Sequence, residues 1–128
     1  MTNDKMAKNK YDLEERTAKF GEDIIEFAKK IPKNIITIPL ISQLIKAGTS
    51  VGSNYCEADC AESRKDFEHK LGISKKEAKE SKHWLRMIVK AVPELRNDAR
   101  KLWQESNELQ RIFISIIKKS KSHLEINN

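Results

Sequence analysis

Two residue patterns in this 128-residue sequence have spacings that suggest metal chemistry. The first is acid-x-x-His, present as Asp66-Phe-Glu-His69 and as Glu80-Ser-Lys-His83. Residues three apart on a helix share a face, so such pairs build the di-iron carboxylate centres of helical bundles. Those centres take the pairs from two different helices, pointing inward. Here both pairs fall in one predicted helix, with His69 and His83 two positions beyond an apolar seam, so both histidines are expected at solvent. The second pattern is Cys56 and Cys60, at i and i+4, with no further Cys or His pair to complete a zinc tetrahedron. They are expected to be reduced thiols among small core residues. No histidine lies in the segment around Ser50 and Ser53 to activate a nucleophile, and Gly48 and Gly52 follow no strand, so they form no phosphate loop. The chain is read as non-enzymatic, without metal or cofactor.

Two other constellations could bind rather than react. Ser50, Ser53, Asn54 and Glu57 cluster inside an otherwise apolar stretch. If buried they must find hydrogen bonds, and a polar network that fixes the register of a bundle is the expectation. Basic residues form the other set: Lys75, Lys79, Lys82, Arg86 and Lys90, then Arg100, Lys101 and Arg111. Positive charge at reachable spacing suffices for phosphate contact, which is salt-sensitive and blind to sequence.

The elements that position these residues are helices. Charged residues make up 34% and aromatics 6%, a balance that favours long, surface-charged helices. Residues 38–58 carry one charge before Glu57 and are apolar or small nearly all round, as a buried central helix would be. Pro39 suits its first turn and Thr37 is a candidate cap. Before it, Leu13, Thr17, Phe20, Ile24, Phe27 and Ile31 alternate at spacings of 4 and 3 from a start at Asp12 to a stop at Pro32. After it, Ser63 and Asp66 resemble a capping box. Phe67, Leu71, Ser74, Ala78, Ser81, Leu85 and Ile88 then continue the pattern to Pro93, and its small middle is expected to face the small residues of the central helix. A fourth seam runs from Leu95 through Ala99, Leu102, Ser106, Leu109, Phe113 and Ile116 to Ser120. The sequence predicts an all-α, antiparallel up-down-up-down four-helix bundle over residues 12–120, with disordered tails at 1–11 and 121–128. Ile73, Trp84, Met87, Trp103, Ile114 and Ile117 lie off the seams and are candidates for a subunit interface.

Charge is unevenly shared. The net is +6, yet Asp12–Ala28 holds six acids against two bases, Arg64–Lys90 nine bases against four acids, and Arg96–Lys121 seven bases against three acids. One acidic and two basic helices would steer acidic partners or match neighbouring subunits. No apolar run reaches membrane-spanning length and no hydrophobic stretch follows the first ten residues, so the expected location is the cytoplasm.

Particular residues carry a family resemblance. Tyr11-Asp12-Leu13 with Phe20, Leu40-Ile-Ser-Gln-Leu-Ile-Lys-Ala47, Ser50-Val-Gly-Ser-Asn54 followed by Glu57, and Ser63-Arg-Lys-Asp-Phe67 resemble the 23S rRNA-intervening-sequence proteins, small bacterial four-helix bundles. The resemblance covers about residues 10–120, and Ser-x-x-Ser-Asn-x-x-Glu is its most specific part. Gly52 replaces a usual proline and Ala58 a common glycine, which implies a straighter, longer end to the central helix. The resemblance implies a homo-oligomer, commonly a homopentameric ring, and no established enzymatic activity. The accessory protein of diversity-generating retroelements is similar, and it forms a basic ring that binds nucleic acid and a reverse transcriptase. The family's name reflects where some of its genes sit and implies no ribosomal RNA ligand. The expectation is a self-assembling ring with basic faces for RNA or DNA. The alternative is an oligomeric scaffold for a protein partner, and a metal-dependent enzyme ranks last.

Overall fold

Local sequence signals cut the chain into four helices: α1 (Thr2–Lys30), α2 (Thr37–Asp59), α3 (Arg64–Ala91) and α4 (Arg96–Asn127). The structure is a computed structural model describing residues 2–127, with side chains from 13 to 122. α1 thus begins ten residues before the start expected at Asp12, and α1 and α4 run through positions 2–11 and 121–127 of the expected tails, whose side chains before 13 and after 122 lie outside the described residues.

Pro32 cannot donate a backbone bond, and α1 ends two residues before it. The turn that follows is knit by Asn34, whose Oδ1 accepts from the backbone N–H groups of Ile36 and Thr37, both at 2.9 Å. Asn34 therefore does the capping expected of Thr37. Thr37 is itself the first helical residue, fully buried, and its hydroxyl donates to the Pro32 carbonyl. Ser63 caps α3 as expected, its Oγ accepting from Asp66 N–H at 3.0 Å. Pro93–Leu95 form a single 3₁₀ turn between α3 and α4.

Connections this short force antiparallel neighbours, and α1 meets α2, α2 meets α3, α3 meets α4 and α4 closes on α1. No strand occurs among the described residues. The inward faces are the seams read from the sequence: Phe20, Ile24, Leu44, Val51, Leu71, Leu85, Ile88, Leu109 and Phe113 are all essentially sealed from solvent.

α2 departs from the expectation of an all-round buried helix. Leu44, Ala47, Gly48, Val51, Tyr55 and Ala58 are buried, whereas Ser42, Gln43, Lys46, Ser53, Cys56 and Glu57 are exposed. Its small residues serve mainly α1. A Cβ on Gly48 would lie 2.7 Å from Ile24 Cγ1, and one on Gly52 would lie 3.3 Å from the Thr17 backbone. The helices therefore cross too closely for larger side chains. The small seam of α3 has a different use. Ser74 Oγ donates to the Val51 carbonyl of α2 at 3.0 Å, and Ser106 Oγ of α4 donates to the Ala78 carbonyl of α3. Both hydroxyls are fully buried, so each ties two backbones at a fixed height without leaving an orphan donor. The α1–α4 side is closed by charge. Arg16 grips Glu105 with Nε and Nη2, both at 2.8 Å, and Nη2 reaches Glu108 at 2.7 Å.

Candidate nucleic-acid interface

α3 carries two different strips on its outward surface. Lys75, Lys79, Lys82, Arg86 and Lys90 recur at spacings of 4, 3, 4 and 4, which places them on one strip. Lys82 fixes its direction. The ammonium donates to Asn107 Oδ1 of α4 at 2.9 Å and stands 5.0 Å from the Trp103 ring centroid. This strip therefore overlooks the outer groove between α3 and α4. On α4 the matching strip is Arg96, Arg100, Trp103, Asn107, Arg111 and Ile114, again at spacings of 4 and 3. A cleft of about 450 Å³ opens at the Pro93 end of this groove, floored by Leu85, Val89, Ala99 and Trp103 and rimmed by Arg86, Arg96 and Arg100.

Seven of the eight basic candidates fit this single face. Lys101 does not: it lies round α4 toward α1, beside Asp23, Glu26, Lys30 and Asp98. Among the described residues, no carboxylate comes within ion-pair distance of Lys75, Lys79, Lys82, Arg86, Lys90, Arg100 or Arg111, whereas Lys19, Lys29, Lys30 and Lys70 each have one. Partial burial, and then the neighbouring Lys79 charge, push the Lys82 ammonium below its ordinary value. A cation held in that state gains from any anion placed against it.

The second strip of α3 runs Ile73, Glu77, Glu80, Trp84 and Met87 and turns toward α2. Lys70, one turn before Ile73, pairs with Glu57 of α2 at 3.3 Å. Burial chiefly, and then the Glu80 charge, push the Glu77 carboxyl up, while Lys76 and, less strongly, Lys46 of α2 pull it back. Ser50, Asn54 and Glu57 line the same side, whereas Ser53 lies round α2 toward α1, beside Glu14, Glu15 and Cys56, and together they correct the expectation of a buried register network. Ser53 and Glu57 are exposed, and Ser50 and Asn54 are half-buried. Apart from Glu57, which takes Lys70 of α3, their bonds stay within α2: Ser50 Oγ to the Lys46 carbonyl at 2.6 Å, Ser53 Oγ to the Ser50 carbonyl at 3.3 Å, and Asn54 Nδ2 to the same carbonyl at 2.9 Å. Turning back on the preceding carbonyl is what short polar side chains do on an open helix face. The register is held instead by Ser74 and Ser106. Their positions in the seams were visible in the sequence, but as small residues rather than as donors.

The six apolar interface candidates are likewise divided. Ile73, Trp84 and Met87 share the α2–α3 side, all three half-buried, Trp103 and Ile114 stand in the basic groove at 41% and 45% exposure, and Trp84 and Ile117 both pack against the core. Sequence reading missed a third apolar exposure. The Asn34 turn presents Ile35, Ile36 and Ile38 to solvent, with Ile35 89% exposed.

The candidates for chemistry are at the surface. His69 and His83 are exposed, and His83 lies edge-on to Trp84 at 4.9 Å. Cys56 and Cys60 are exposed free thiols, not core residues, because Cys56 falls outside the buried face of α2 and Cys60 caps the helix's C-terminal end. Burial, followed by the Glu14 charge, raises the Cys56 thiol and so disfavours its thiolate. Among the described residues no three His, Cys, Asp or Glu converge as a metal site, and no helix is long and apolar enough to cross a membrane.

Comparison with known proteins agrees with this architecture. A structure with similarity over 83% of this chain and 98% of its own is that of a protein with unknown function from the S23 ribosomal protein family of Bacteroides thetaiotaomicron, at 30% identity and a TM-score of 0.74. No curated protein matches. The family model described as 23S rRNA-intervening sequence protein matches residues 9–119, and with the four seams in place, this chain belongs to that family.

Proposed function

We propose that the chain is a non-catalytic, self-assembling bundle that binds nucleic acid, without regard to sequence, through the outer α3–α4 face. The observation that supports this reading is the row Lys75, Lys79, Lys82 and Arg86 facing Arg96, Arg100 and Arg111 with no carboxylate paired to any of them among the described residues. Solvated lysines on bundles usually alternate with acids; seven neighbouring cations without one make a track for a polyanion. Assembly is assigned to the other strip, where Ile73, Trp84 and Met87 lie beside the family motif Ser50, Asn54 and Glu57. A ring built there leaves the basic faces open and repeats them around its axis.

The test is fluorescence anisotropy of labelled RNA and duplex DNA between 50 and 300 mM salt. The expected result is a linear fall of log affinity with log salt, and a slope shallower by about one for each of Lys79→Ala and Arg86→Ala. Absence of binding at the lowest salt overturns the reading. A protein-binding scaffold is the second reading, favoured by the Asn34 turn and its three exposed isoleucines. It predicts capture of a protein partner that survives high salt and is lost in Ile35→Asp.

A further inference from the structure

We infer that the cleft at the Pro93 end of the α3–α4 groove takes an unpaired nucleobase, stacked on Trp103, so that the preferred ligand is single-stranded. This rests on the polyanion reading above and narrows it. Phosphates need only charge, and the rest of the groove supplies that. The cleft adds what a phosphate does not need: an apolar floor of Leu85, Val89 and Ala99 beside an indole that is 41% exposed. Its volume, about 450 Å³, exceeds one base and leaves room for the attached sugar. Arg86 and Arg100 on the rim bring charge to the flanking phosphates, and no acidic side chain lines the cleft. Lys82 stands over the Trp103 ring at 5.0 Å, and its bond to Asn107 holds it there. A flat aromatic platform next to a cationic track is the arrangement by which proteins hold single strands, because every base has a π-face to stack. In a duplex the bases are already stacked on one another and none is free to enter.

The experiment compares a labelled single-stranded oligonucleotide, its duplex and the free mononucleotide by anisotropy and competition at 50 mM salt, using the full chain and its Trp103→Ala and Trp103→Phe variants. Trp103 is at the surface, so its replacement leaves the core intact; circular dichroism checks this. The expected result is tighter binding of the single strand than of the duplex. Trp103→Ala should lose on the order of tenfold or more for the strand and little for the duplex, and Trp103→Phe should retain most of the affinity. Equal binding of strand and duplex, unmoved by Trp103→Ala, overturns the base-stacking inference and leaves the polyanion face standing. Mononucleotide binding as tight as the strand also overturns it. Failure of every oligonucleotide to bind removes both readings.

Discussion

The residues that decide this protein's behaviour are often the small ones. Gly48 sits where Ile24 leaves no room, so Gly48→Ala should destabilise the fold by about 1–3 kcal/mol in urea unfolding. Gly72 is the opposite case. It lies inside α3 one turn before Lys75 and has nothing within 4 Å of where a Cβ would stand. Gly72→Ala should therefore stabilise by about 0.5–1 kcal/mol. If it also weakens nucleic-acid binding, the glycine is there to let a ligand approach the helix closely; unchanged affinity removes that role. Glu77 has a pH signature. Its carboxyl holds a proton to higher pH in the folded chain than its ordinary value of 4.5, so stability falls as pH rises through that window and stays lowered above it. Glu77→Gln should thus raise the unfolding midpoint at pH 7 and leave it unchanged at pH 4. A gain of equal size at both pH values would assign the effect to packing instead.

At the level of elements, the four seams were legible because a period of 3.6 writes the buried face directly into the spacing of Phe20, Ile24, Leu71, Leu85 and Phe113. The caps were half legible. Ser63 announced itself beside Asp66, whereas Asn34 did not, since it acts from three residues before the helix it starts. The site was less so. Spacing separates the two strips of α3, but only Lys82 reaching Asn107 and Lys70 reaching Glu57 tell which strip faces which neighbour. The same limit explains the cysteines and the Ser50–Glu57 cluster. A segment poor in charge looked buried all round, yet in a bundle each helix meets only two neighbours and leaves an arc to water. Ser74 and Ser106 could not be recognised as ties between backbones until the heights of the helices were known. Ser106→Ala should cost about 1 kcal/mol, read by thermal unfolding, by leaving α3 and α4 without their shared hydroxyl bond.

The whole molecule has two outward faces on either side of α3, one proposed for assembly and one for nucleic acid, and they should fail separately. Ile73→Glu with Met87→Glu should lower the sedimenting mass to that of one chain, while Trp103→Ala should leave it unchanged. Mass loss in Trp103→Ala would place assembly on the basic groove. The bundle's closure has a further consequence. α1 and α4 are the only helices in contact, among the described residues, that are not consecutive along the chain, and Arg16 clasps them at mid-height while Lys30 pairs with Asp98 at 3.4 Å nearer the end. Closing so long a loop is the step whose entropy is recovered last. Arg16→Met, costing about 1 kcal/mol, should therefore quicken unfolding and leave the refolding rate unchanged in a denaturant chevron. A refolding arm slowed by the full loss would mean that the clasp forms early. If it forms late, the time a folded molecule survives is governed by an ion pair that salt screens, and that lifetime shortens as ionic strength rises.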